Sequence, residues 1–265
     1  MERRQDVPDR RFARRGVRRF RRGTSILPSL FTTGNLFLGF WAIIRALHGQ
    51  YEQAAPLVFW AILLDVLDGR IARMTGTASE FGAELDSLAD VVSFGVAPAV
   101  LVYSWGFSTV PRVGWLVAFL YLVCGTLRLA RFNVQKSSVD GRYFVGLPIP
   151  AAAAAVAALV NVSPAPVEER VHAVLWLSLL IVLSFLMVST FRYASFKKVD
   201  LRSRRSYVNV VGIALLLIVF NMHPEWVLLA LATMFWLSGP LVYLYGLLVR
   251  RRPEPPPVVA ASEAP

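Results

Sequence analysis

Four aspartates lie where a membrane chain can least easily carry them. Asp65, Asp68, Asp86 and Asp90 fall within residues 63–92, LLDVLDGRIARMTGTASEFGAELDSLADVV, in or beside long apolar runs. A bare carboxylate is unfavourable in such a setting, so an ionisable group there is a functional signal by default. Asp65 and Asp68 are spaced i,i+3, and Asp86 and Asp90 are spaced i,i+4, so each pair shares one helix face. If the two faces oppose one another, four carboxylates surround a small volume. They would repel and take up protons unless something cationic sat among them. Oxygen-only ligands favour hard cations such as Mg²⁺, Mn²⁺ or Ca²⁺ over Zn²⁺. Two divalent ions roughly 3.5–4 Å apart would clamp both oxygens of an in-line displacement at phosphorus.

Other roles for the acids stay open at this point. Salt bridges to Arg70 and Arg73 fall short, because two arginines cannot neutralise four carboxylates. Solvation at a helix end suits Asp86 better than Asp65, which lies a turn or more inside. A proton or cation pathway would also use buried carboxylates. Neighbouring residues favour a phosphorylated ligand: Gly69 and Gly82 clear space beside the acids, Arg73 can fork onto a phosphate, and Ser79 can donate to one. Each has a plainer alternative, with the glycines packing helices and Ser79 capping one. His48, His172 and His223 map to the opposite side and are read as structural.

The elements that position these groups are membrane helices. The chain has 265 residues, is 56% hydrophobic and has a mean hydropathy of +0.54, too apolar for an ordinary soluble domain. Eight spans are expected, near 26–47, 51–72, 83–106, 112–133, 145–161, 171–191, 207–222 and 226–249, giving an all-α polytopic membrane protein. The fifth is Ala-rich and follows a Pro-rich bend, so a re-entrant segment is its alternative. Lys and Arg total 28 against 17 Asp and Glu, a net charge of +11. Because the basic residues lie between apolar spans, they fit anionic membrane lipids and topology, not nucleic acid. They crowd the N-terminal tail, the 73–82, 134–144 and 192–206 connections and the C-terminal tail, which puts both termini in the cytoplasm. Residues 1–23 carry ten arginines and read as a basic cytoplasmic or interfacial segment. Residues 24–249 form the transmembrane catalytic domain, and 250–265 form a disordered Pro-rich tail. Cys124, the sole cysteine, rules out an intramolecular disulfide and a thiolate metal cluster.

The full spacing, Asp65-x2-Asp68-Gly69-x2-Ala72-Arg73-x8-Gly82-x3-Asp86-x3-Asp90, resembles the signature of the CDP-alcohol phosphotransferase family. The stretches FTTGNLFLGF (31–40), SEFGAELDSLADVVSFGVAPA (79–99), RLARFN (128–133), GLPIPAA (146–152) and RYASFKK (192–198) are similar to the branch that uses L-serine as acceptor. The resemblance implies a six-helix core plus two C-terminal helices, a homodimer, and an active site facing the cytoplasm in the cell membrane. It implies two divalent cations, Mg²⁺ or Mn²⁺, held by Asp65, Asp68, Asp86 and Asp90, with Asp90 also the general base. Gly69, Arg73 and Ser79 would hold the CDP moiety of CDP-diacylglycerol. Ser29 and Thr32 would join them, although Ser29 stands where the family's first-helix motif has Asn. Candidate contacts to serine or to a lipid phosphate are Ser93, Arg128, Arg131 and Asn133. Glycerol 3-phosphate or inositol as acceptor, and a cation or proton transporter, are the competing readings.

Overall fold

The computed structural model describes residues 26–75, 79–135, 143–194 and 220–249. The expected basic segment 1–23, most of the expected span 207–222 and the tail 250–265 lie outside the described residues.

Helix α1 (Ile26–Leu47) leads through a three-residue turn into α2 (Tyr51–Thr75). Gly49 makes that turn possible: its φ of +71° lies in the left-handed region that side chains disfavour. Its N–H reaches the Ala46 carbonyl and that of Gln50 reaches Arg45, so the last carbonyls of α1 are satisfied within a Schellman cap. Buried Ala42 and Ala46 of α1 and Ala54, Ala55 and Ala61 of α2 let the two helices approach closely.

The next span, 80–106, is continuous but not uniform. Helix α3 (Glu80–Asp90) starts at an N-cap, where the Ser79 hydroxyl accepts from the Gly82 N–H at 3.0 Å. Directly after Asp90, Val91–Val96 form a π-helical turn, and α4 (Ala97–Gly106) resumes the ordinary ladder. The wider turn is braced from outside, because the hydroxyl of the buried Tyr121 donates to the Phe94 carbonyl at 3.1 Å. Tyr121 belongs to α5 (Pro111–Gln135).

The Ala-rich stretch forms α6 (Ile149–Val162), followed by α7 (Arg170–Val188) and α8 (Pro224–Val249). At 14 residues α6 is about 21 Å long, shorter than the apolar core of a bilayer. It is nonetheless one of the most buried elements, packed against α8, α2 and α4. Its start falls at Ile149, not at the expected 145. Residues 143–145 instead form a short strand, β1, pairing antiparallel with β2 (Arg192–Ala194) through Phe144 opposite Tyr193. Gly146 explains the difference: its φ is +77°, and a Cβ there would run into the Met187 carbonyl, so no helix continues through it. The Tyr193 ring is buried against α8, which pushes its phenol up to about 12.

Five described spans are long and apolar enough to cross a membrane: α1, the 80–106 span, α5, α7 and α8. Helix α2 matches them in length but carries Asp65, Asp68 and Arg70. Large apolar side chains such as Phe37, Trp60, Phe119, Phe185 and Leu241 face outward, as lipid solvent requires. The chain is a multi-pass, all-α membrane protein apart from the β1–β2 pair.

Candidate active site

Asp65 comes from α2, and Asp86 and Asp90 come from α3. One carboxylate oxygen from each lies within 4.8 Å of the other two. The backbones of α2 and α3 make little contact with each other; α1 packs against both and holds them at the separation their acidic side chains bridge. Asp90 is the most enclosed of the three, and its Oδ1 finds no hydrogen-bond partner among the described residues. A buried carboxylate oxygen left unpaired next to two further carboxylates is an arrangement that a hard divalent cation satisfies. The residues present fit such an ion.

Asp68 stands outside this three-oxygen group. It is buried, lies close enough to Asp65 to act on it electrostatically, and accepts a hydrogen bond from the Thr32 hydroxyl on α1. Gly69 follows, and a Cβ placed on it would meet nothing within 4 Å, so open space adjoins Asp68. Gly82 donates to Ser79 and is crowded only by that hydroxyl. Ser79 is therefore an N-cap, exposed, with its oxygen occupied as an acceptor and its proton still available. The side chains of Ser29 and Arg73 lie outside the described residues.

The four residues proposed to meet serine or a lipid phosphate separate clearly. Arg128 is only 8% exposed, does not snorkel to the interface, and lies close enough to Asp90 to act on its charge. Its guanidinium lies 5.7 Å from the Phe132 ring centroid, and its Nε has no partner among the described residues. Arg131, three residues on, is exposed. Asn133 donates to the Ser87 hydroxyl at 2.8 Å and so ties α5 to α3. Ser93 is fully buried and donates to the Asn35 carbonyl at 3.0 Å. The contact is close, since a Cβ on Gly39 would collide with Ser93.

Asn35 was missed. It is fully buried on α1, one turn beyond Thr32, and presents its amide to Asp90. The signal was present in the i,i+3 spacing of Thr32 and Asn35, two polar residues on one face of a mostly apolar span.

A bundle with carboxylates gathered from two helices, and an eight-position signature running through both, defines a class. The chain belongs to the CDP-alcohol phosphatidyltransferase family, whose model matches residues 25–174. Among curated relatives it is similar to the CDP-diacylglycerol–serine O-phosphatidyltransferase of Helicobacter pylori, 42% identical over 180 residues covering 66% of this chain and 74% of that one. The enzyme of the same name from Bacillus subtilis is 37% identical over 172 residues, 65% of this chain and 92% of its own. The archaetidylserine synthase of Methanothermobacter thermautotrophicus is 43% identical over 132 residues, 49% and 55% of the two chains.

Proposed function

We propose that this protein transfers the phosphatidyl group of CDP-diacylglycerol to the hydroxyl of L-serine, releasing CMP and leaving phosphatidylserine in the bilayer. The observation that carries the reading is the convergence of Asp65, Asp86 and Asp90 on one point, in a chain whose relatives bear that activity in their names. Two divalent cations, Mg²⁺ or Mn²⁺, held by these three with Asp68 beside them, would neutralise the pyrophosphate and the charge developing during displacement.

The chain's own residues do the rest. Asp90 removes the proton from the serine hydroxyl, and its burial keeps that proton from exchanging freely with bulk water. The serine oxygen forms a bond to the β-phosphorus as the bond to the CMP oxygen breaks in line, and no covalent enzyme intermediate is needed. Thr32 fixes the Asp68 carboxylate through its hydroxyl. Open space at Gly69 gives the CDP moiety room to approach, with Arg73, Ser79 and Ser29 as further contacts. The basic connections support a site and termini on the cytoplasmic side of the cell membrane, with donor lipid entering from the inner leaflet. The ten arginines of residues 1–23 give that sequence an affinity for anionic headgroups, and family resemblance supports a homodimer.

The test is CMP release by purified protein given CDP-diacylglycerol, divalent metal and one acceptor at a time. L-serine should support release, while glycerol 3-phosphate and inositol should not. Release with one of those in place of L-serine would assign the protein to a different acceptor, and no release with any would favour a transporter.

A further inference from the structure

Four buried polar atoms around Asp90 lack hydrogen-bond partners among the described residues: Asp90 Oδ1, both Oδ1 and Nδ2 of Asn35, and Arg128 Nε. Asn35 is 0% exposed and Arg128 8%, so water at the surface does not serve them. They come from three elements, α1, α3 and α5, yet both side chains act on the same Asp90 carboxylate. Buried polar groups left unpaired are unfavourable, and native structures keep them where a ligand completes the set. Nor is Asn35 loosely placed: Ser93 bonds its backbone carbonyl, and Gly39, one turn on, packs directly on Ser93.

The set comprises an acceptor and a donor on Asn35, a cationic donor on Arg128 and an acceptor on Asp90. A small zwitterion bearing a hydroxyl offers the matching groups. We infer that Asn35 and Arg128 form the acceptor subsite, with Asn35 Oδ1 accepting from the serine ammonium and Arg128 Nε donating to its carboxylate, while the hydroxyl lies at Asp90. The inference rests on the proposed use of L-serine and adds the residues that select it. Selection follows from the same burial. An acceptor without the ammonium or the carboxylate leaves Asn35 or Arg128 unpaired, which discriminates far more strongly than a lost apolar contact.

Two serine analogues separate the two contacts: 3-hydroxypropionate lacks the ammonium, and ethanolamine lacks the carboxylate. CMP release is measured for wild type and for Asn35→Leu with each acceptor, at saturating CDP-diacylglycerol and metal. Wild type should strongly prefer L-serine over both analogues. Asn35→Leu should lower kcat/KM for L-serine about ten- to a hundredfold, leave 3-hydroxypropionate nearly unaffected, and keep the KM for CDP-diacylglycerol. Asn35→Ser, smaller and still polar, provides the same comparison should the leucine fail to pack, and Arg128→Leu should erase the preference over ethanolamine.

If Asn35 merely holds Asp90 in place, its variants will slow every acceptor equally, and that result overturns the subsite. So does an unchanged KM for L-serine in both Asn35 variants. Wild-type protein that ignores L-serine but uses inositol or glycerol 3-phosphate overturns the proposed function as well, which distinguishes the two failures.

Discussion

Trp105 and Asp90 sit on the same span, 15 residues or about 22 Å apart, and their surroundings treat buried polarity in opposite ways. At Trp105 the indole N–H reaches two carbonyls, Ser163 at 2.9 Å and Ala165 at 2.8 Å, and the Trp105 carbonyl accepts from the Val167 N–H. Tyr51 closes the same end by donating to the Ser104 carbonyl, and Trp176 packs against the Trp105 ring. At Asp90 the neighbouring amide, guanidinium and carboxylate leave atoms unpaired among the described residues. One end is finished by the chain itself, while the other, on the proposed function, is completed by what it binds. Stability and function are therefore separable along a single helix, and substitutions at the two ends should fail in different ways.

The largest effect belongs to Asp90→Asn, which keeps the shape but removes the proposed base. CMP release should fall by about 10²–10⁴-fold with the thermal midpoint nearly unchanged, as measured by turnover and unfolding of the same preparation. The converse is Trp105→Ala, which should cost about 3–5 kcal/mol of stability while leaving the KM for L-serine intact in whatever protein remains folded. Thr32→Val probes the border between the two regimes. Losing the hydroxyl that bonds Asp68 should reduce turnover roughly ten- to a hundredfold, and steady-state kinetics will show whether the donor KM carries the loss. Smallest is Ser79→Ala, which removes the α3 cap and should destabilise that end by about 1 kcal/mol, read as faster amide exchange at Gly82. Equal loss of stability from Asp90→Asn and Trp105→Ala would erase the contrast.

Much of this was legible in the residues because the demands were strict. The four aspartates could be found because carboxylates at helical spacing inside apolar runs have few explanations. Span limits followed from apolar length. What escaped depended on three dimensions. The β1–β2 pair is three residues per strand, too short for alternation to register, and it pre-empted the first turn expected of α6. The π-helical turn after Asp90 has no compositional mark, since Tyr121, which braces it, is distant in sequence. The acidic faces of α2 and α3 do converge, but spacing gave no sign that α1 lies against both helices. For the same reason Thr32 and Asn35 emerged as neighbours of Asp68 and Asp90 only once α1 was in place. Asp68, equivalent to Asp65 by spacing alone, proved to be bonded to Thr32.

The central claim is that Asp65, Asp86 and Asp90 jointly hold divalent cations. Equilibrium binding of Mn²⁺, followed by its paramagnetic resonance signal in purified protein, tests it without reference to turnover. The account predicts saturable binding in wild type that Asp86→Asn largely abolishes and that Trp105→Phe leaves intact. Binding of the same stoichiometry and affinity in Asp86→Asn would contradict it.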